Sequence, residues 1–162
     1  VGASSAPVRP PSNWKRERLA PAEHIIESVK PMLGELKALE VLWWQGRPID
    51  EYESDDEAGW LMSFKAIALA PAGSPQEVVD RLVGEQVRLL ETHAAAQPAT
   101  PPRVKGQAVA VGLMEAMTKR TYLQARAQPG ESGLHVLLVM CTTAIEHDAC
   151  REAMQTVQLV AR

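Results

Sequence analysis

Apolar residues return along this chain at two spacings, and the change from one to the other predicts most of its elements. From Pro21 onward, Ile25, Ile26, Val29, Met32, Leu33 and Leu36 recur at three- and four-residue steps, the period of a helix. Pro21 suits the first helical turn, whereas Pro31 inside the pattern predicts a kink or two short helices, and Gly34 weakens the second half. Leu39 to Gln45 (LEVLWWQ) is short and bulky, which predicts a strand, and Gly46, Arg47 and Pro48 then turn the chain. Gly59 to Leu69 reads as the next strand, with Trp60, Met62 and Phe64 alternating against Leu61, Ser63 and Lys65. The clearest helix follows. Ser74 is a good N-cap, Pro75 fits the first position, Glu77 completes a capping box, and Val79, Leu82, Val83, Gln86 and Leu90 share one face. It is expected to fray through Ala94 to Ala96 and to stop before QPATPP, a stiff extended connector.

Three more strands are predicted over Lys105 to Met114, Thr118 to Gln128 and Leu134 to Thr143. The last of these, LHVLLVMCTT, is nearly all apolar, as a central strand covered on both faces must be. Thr143 and Glu146 form a second capping box ahead of a helix tracing Ala149, Cys150, Ala153, Met154, Val157 and Val160. The order is α-β-β-α-β-β-β-α. Its hairpin-like neighbours predict an α+β fold: a mostly antiparallel sheet of about five strands with helices packed on it. Residues 1–13, rich in Ser, Ala and Pro, read as a flexible leader, and 14–162 as a single α+β domain.

Composition narrows the class of function. The 162 residues are 46% hydrophobic and 23% charged, the balance of a chain with a real core. A net charge of −3 supplies no basic field, so nucleic acid is not an expected partner. Apolar stretches reach only about ten residues, so no transmembrane segment is expected. The leader composition suits a segment following a removed signal peptide or a lipid anchor upstream, or else a boundary inside a longer protein. Cys141 and Cys150 are the two cysteines, without CxxC spacing. They suit a disulfide in an oxidising compartment, against the alternative of two buried thiols acting as small hydrophobes.

Motifs for catalysis are missing: neither GxSxG, HExxH, GxGxxG nor GxxxxGK[ST] occurs, so neither an enzyme nor a cofactor is expected. His135, Cys141, His147 and Cys150 would make an adequate tetrahedral zinc set by chemistry, but they lack tight knuckle spacing, and the disulfide is the preferred reading. Cys141 with His147 as nucleophile and base is disfavoured: the two are close only in sequence, and a cysteine nucleophile needs a lowered pKa and an oriented base, which a sequence does not display. The acidic run Asp50, Glu51, Glu53, Asp55, Asp56 and Glu57 lacks calcium-loop spacing and reads as an exposed connection, one that could attract a basic partner. Trp43 and Trp44 are adjacent on a strand and must point to opposite faces. An outward member beside the acidic run makes Trp43 or Trp44, with Asp55, Asp56 and Glu57, the candidate protein-binding surface. The alternative is a small-ligand or lipid pocket lined by Met62, Met114, Met117 and Met140, between sheet and helix.

From Pro71 to Val160 the helix after the APAGSPQE cap, the strand pair, LHVLLVMCTT and the amphipathic end resemble the PsbP-like and DcrB-like envelope proteins. PSNW, with Ser12 to Trp14, is similar to their proline-tryptophan opening. The resemblance implies an α/β/α sandwich and a noncatalytic binding protein or lipoprotein. Together these observations point to a bacterial envelope protein, periplasmic or outer-membrane associated, that acts by binding another protein. An immunity protein or inhibitor, an accessory lipoprotein and a secretion chaperone all fit that description.

Overall fold

The computed structural model describes residues 6–17, 22–46, 59–89, 94–96 and 100–161. Leu134 to Thr143 are all buried, which follows from the place of their strand at the middle of the sheet. In chain order the elements are β1 (Lys15–Glu17), α1 (Ala22–Leu33), β2 (Leu36–Gln45), β3 (Trp60–Ala68), α2 (Pro75–Leu89), β4 (Ala94–Ala96), β5 (Ala108–Ala116), β6 (Lys119–Gly130), β7 (Gly133–Ala144) and α3 (Cys150–Gln155). A single 3-10 turn, Ile145–His147, precedes α3. The strands form one antiparallel sheet in the order β1-β2-β3-β7-β6-β5-β4. The α+β class and the five long strands agree with the pattern of the sequence. β1 and β4 are three-residue additions at the two edges, and β4 occupies the alanines expected to fray from α2.

The period of two divides β7 between two cores. Leu134, Val136, Leu138 and Met140 join Phe64, Met62, Leu123 and Met114 beneath α1 and α2. Leu137, Val139 and Cys141 join Leu42, Trp44 and Leu61 on the opposite face, beneath α3 and the chain ends. Each fully buried leucine of this strand contributes about 1.5–3 kcal/mol.

α2 begins as its sequence predicts. The Glu77 backbone N–H donates to Ser74 Oγ at 3.2 Å, and the Ser74 N–H donates to the Glu77 carboxylate at 3.3 Å. Replacing Ser74 by Ala orphans one N–H and is expected to cost about 0.5–2 kcal/mol, read as a lower denaturant midpoint. α1 runs unbroken to Leu33 with Pro31 in its last turn, and Gly34 at φ +67° ends it. The positive φ there is one that a Cβ disfavours. In β2 the register slips between Lys37 and Glu40 around Ala38 at φ +54°. Such a bulge interrupts the ladder and raises the local twist of the strand.

Two expectations fail near the C-terminus. Thr143 stays extended and its hydroxyl donates to the His147 carbonyl at 3.0 Å, so it caps no helix. The Asp148 carboxylate receives the Arg151 N–H at 3.2 Å instead, and α3 lasts only six residues. Beyond it the chain has no regular secondary structure, with Val157 and Leu159 buried and Val160 exposed. Ala6 to Arg9, expected to be part of a flexible leader, lie against this tail. The Gln158 N–H donates to the Pro7 carbonyl at 2.8 Å, the Arg9 N–H to Thr156 Oγ1 at 2.7 Å, and Val8 is 1% exposed. Val8 brings its side chain into the second core, which the small-residue composition of the leader did not disclose.

Candidate binding surface

The β2–β3 connection begins and ends at a well-fixed base. The Gly46 N–H donates to the Gly59 carbonyl at 2.8 Å, and Gln45 Nε2 donates to the same oxygen at 3.0 Å. Trp43 lies opposite Met62 and Trp60 opposite Gln45, so the two tryptophans are diagonal neighbours on one face of the hairpin. Their rings stack with centroids 5.0 Å apart and planes 18° from parallel. Both are half-buried and pack against the first core. Such a pair presents a large, rigid aromatic area at little entropic cost, the property that makes tryptophan common at interface hot spots.

Trp44 points to the opposite face, as the strand period requires, and is buried at 5% in the second core. Enclosed there beside Leu42 and Leu61, it is corrected from a candidate partner contact to a core residue. Asp55, Asp56 and Glu57 lie outside the described residues. The connection carrying them leaves and returns at the Gln45–Trp60 pair, beside the stacked indoles. The sequence singled out Trp43 and missed Trp60 as its partner. The signal was present in the alternation that places Trp60 with Met62 and Phe64.

Cys141 and Cys150 form a disulfide, with Cα atoms 5.7 Å apart, joining β7 to α3. Both are fully buried, so neither sulfur is a nucleophile and neither can ligate zinc. His135 and Cys141 do share a face, but six residues along a strand span about 20 Å, far beyond a shared coordination sphere. Among the described residues no group of three or more His, Cys, Asp or Glu side chains is arranged to hold a metal. The methionine pocket is also corrected. Met62, Met114 and Met140 are packed into the first core, and Met117 is 98% exposed in the two-residue turn between β5 and β6.

A charged cluster secures the approach to α3. Arg120 bonds Glu115 and Asp148, each at 2.9 Å, while the Tyr122 hydroxyl donates to Asp148. Its hydrogen bonds to Tyr122, Glu115 and Asp148 hold the Arg120 guanidinium above its ordinary pKa. The cluster ties β5 and β6 to the segment leading into the disulfide, and its charges are spent on one another.

No protein-family model matches this chain, and no curated protein matches it. Among solved structures it is similar to LpqN of Mycobacterium tuberculosis, described as involved in cell envelope biogenesis. The likeness has a TM-score of 0.50 and covers 92% of this chain and 75% of that one. Identity is 11%, so what the two chains share is a fold, with no specific tie to the PsbP-like or DcrB-like families.

Proposed function

We propose that this chain is a noncatalytic bacterial envelope protein that works by binding another protein, through a surface built on Trp43 and Trp60. The stacked, half-buried indole pair at the base of the acidic connection carries this reading. The Cys141–Cys150 disulfide supports an oxidising compartment such as the periplasm, and the fold shared with an envelope protein agrees with it. In this reading the indoles supply the buried area, while Asp55, Asp56 and Glu57 raise the encounter rate with a basic partner. An immunity protein, an accessory lipoprotein and a secretion chaperone would each use such a surface.

The test is kinetic, on a partner captured from envelope fractions. Trp43→Ala is expected to speed dissociation by about thirtyfold, the equivalent of about 2 kcal/mol at a hot spot. Neutralising Asp55, Asp56 and Glu57 together is expected to slow association and flatten its salt dependence, with the thermal midpoint unchanged. Wild-type dissociation for Trp43→Ala, in a folded variant, would move the interface elsewhere on the molecule.

A further inference from the structure

On the side of the sheet far from the tryptophan pair, β6 carries a buried cation that has no counter-charge among the described residues. Arg126 on β6 is 8% exposed, on the same face as Gln124 and Gln128. Its Nε donates to Gln124 Oε1 at 2.8 Å and its Nη1 reaches Gln107 Oε1 at 3.5 Å. Among the described residues no carboxylate pairs with it; the four ion pairs there belong to Arg88, Arg120 and Arg151. Burial alone pushes this guanidinium below its ordinary pKa, and it remains charged.

The surrounding amides make the imbalance one of donors over acceptors. Gln107 Nε2 donates to Gln128 Oε1 at 2.8 Å and to the Leu159 carbonyl at 2.7 Å. The side-chain oxygens of Gln107, Gln124 and Gln128 each accept one N–H of the cluster. Three of the five guanidinium N–H donors remain, together with the amide N–H groups of Gln124 and Gln128. The complement of such a set is a group that only accepts: a carboxylate or a phosphate.

A groove that shares Gln107 with this cluster lies beside it. This open groove of about 540 Å³ runs along β5, lined by Gln76, Arg103, Lys105, Gln107 and Val109 among others, with no carboxylate among the described residues of its wall. Gln107 is the residue that contacts Arg126, and Val109 sits directly across the ladder from it. Arg103 and Lys105 are exposed at the groove. The volume is that of a small-molecule site.

We propose that this groove binds a ligand by an oxyanion, received by Arg126 and the glutamine amides behind Gln107 and drawn in by Arg103 and Lys105. This is a second site, independent of the tryptophan surface. A buried cation whose described partners are neutral is one that an arriving oxyanion would pair.

Nitrogen-resolved NMR of the labelled protein tests it, with inorganic phosphate and succinate as probes and chloride at equal ionic strength as the control. The Arg126 Nε–H signal and the side-chain amides of Gln107, Gln124 and Gln128 are expected to shift saturably with phosphate or succinate and not with chloride. Arg103→Gln with Lys105→Gln should weaken that binding severalfold. Arg126→Met should abolish it without lowering the thermal midpoint. Should Arg126→Met fail to fold, the Arg126 signal of the wild-type protein decides alone. Co-sedimentation with phosphatidylglycerol vesicles but not phosphatidylcholine vesicles, lost in the Arg103/Lys105 double variant, would identify a lipid headgroup as the source. Binding of phosphate or succinate without vesicle binding would identify a free anion. Shifts confined to Arg103 and Lys105, or reproduced by chloride, would overturn the proposal.

Discussion

Replacing Cys141 and Cys150 together by alanine is expected to lower stability by about 2–5 kcal/mol, the usual cost of losing a native disulfide in a small domain. The bridge spans nine positions of sequence, for which the chain-entropy model alone gives about 2–3 kcal/mol. More depends on this staple than loop closure. α3 has six residues, too few to persist in water by its own hydrogen bonds, so its register against β7 rests on the bridge and on Ala153 and Met154. Once α3 loosens, the tail with Val157 and Leu159 and the segment around Val8 lose their support, and Leu137 and Val139 are uncovered. The check is a denaturant melt combined with hydrogen exchange: the midpoint should fall and residues 150–155 should exchange first. Reducing agent on the wild-type protein should reproduce both effects. An unchanged midpoint would remove the bridge from the forces holding the second core.

Gly59→Ala is expected to cost about 2–4 kcal/mol, from backbone strain together with overpacking. Gly59 sits at φ +98°, and a Cβ there would stand 2.5 Å from the Thr142 carbonyl oxygen and 3.1 Å from the Trp14 ring. The clash is with the backbone of the central strand, which cannot rotate away as a side chain could. Its own carbonyl receives the Gly46 N–H and the Gln45 amide, so movement here opens the base of the β2–β3 connection. The stacked pair begins at the next residue, Trp60. Circular dichroism should therefore show the Trp43–Trp60 exciton signal weaken as the thermal midpoint falls. A variant retaining both would mean that the chain can enter β3 without this turn.

The elements legible in the sequence were those carrying their own signal within a dozen residues. The Ser74–Glu77 box set the start of α2 because both bonds close inside one turn. The unbroken apolar run of β7 announced burial on two faces, and β7 lies at the centre of the sheet. Two cysteines allow one pairing, Cys141 with Cys150, but the alternative of two buried thiols stayed open until the structure joined them. Where the reading went astray, the deciding partner was distant. Val157 fits a helical face as well as an irregular tail, and what fixes the tail is a pair of bonds, the Arg9 N–H donating to Thr156 Oγ1 and the Gln158 N–H to the Pro7 carbonyl. β1 and β4 are too short to show any period and exist only as ladder partners of β2 and β5.

The same division holds for function. By itself the sequence determined the α+β class, the two faces of the Trp43–Trp44 strand and the lack of known catalytic motifs, because composition and strand period are local properties. Only the tertiary structure decided which indole is enclosed, that Trp60 stacks on Trp43, that Met117 stands in solvent, and that Arg126 lies buried among glutamines. The reason is geometric. A strand assigns each side chain to a face, but its neighbours on that face come from strands distant in sequence, as Thr142 is from Trp60, and their identity settles whether a tryptophan is core or an arginine is paired.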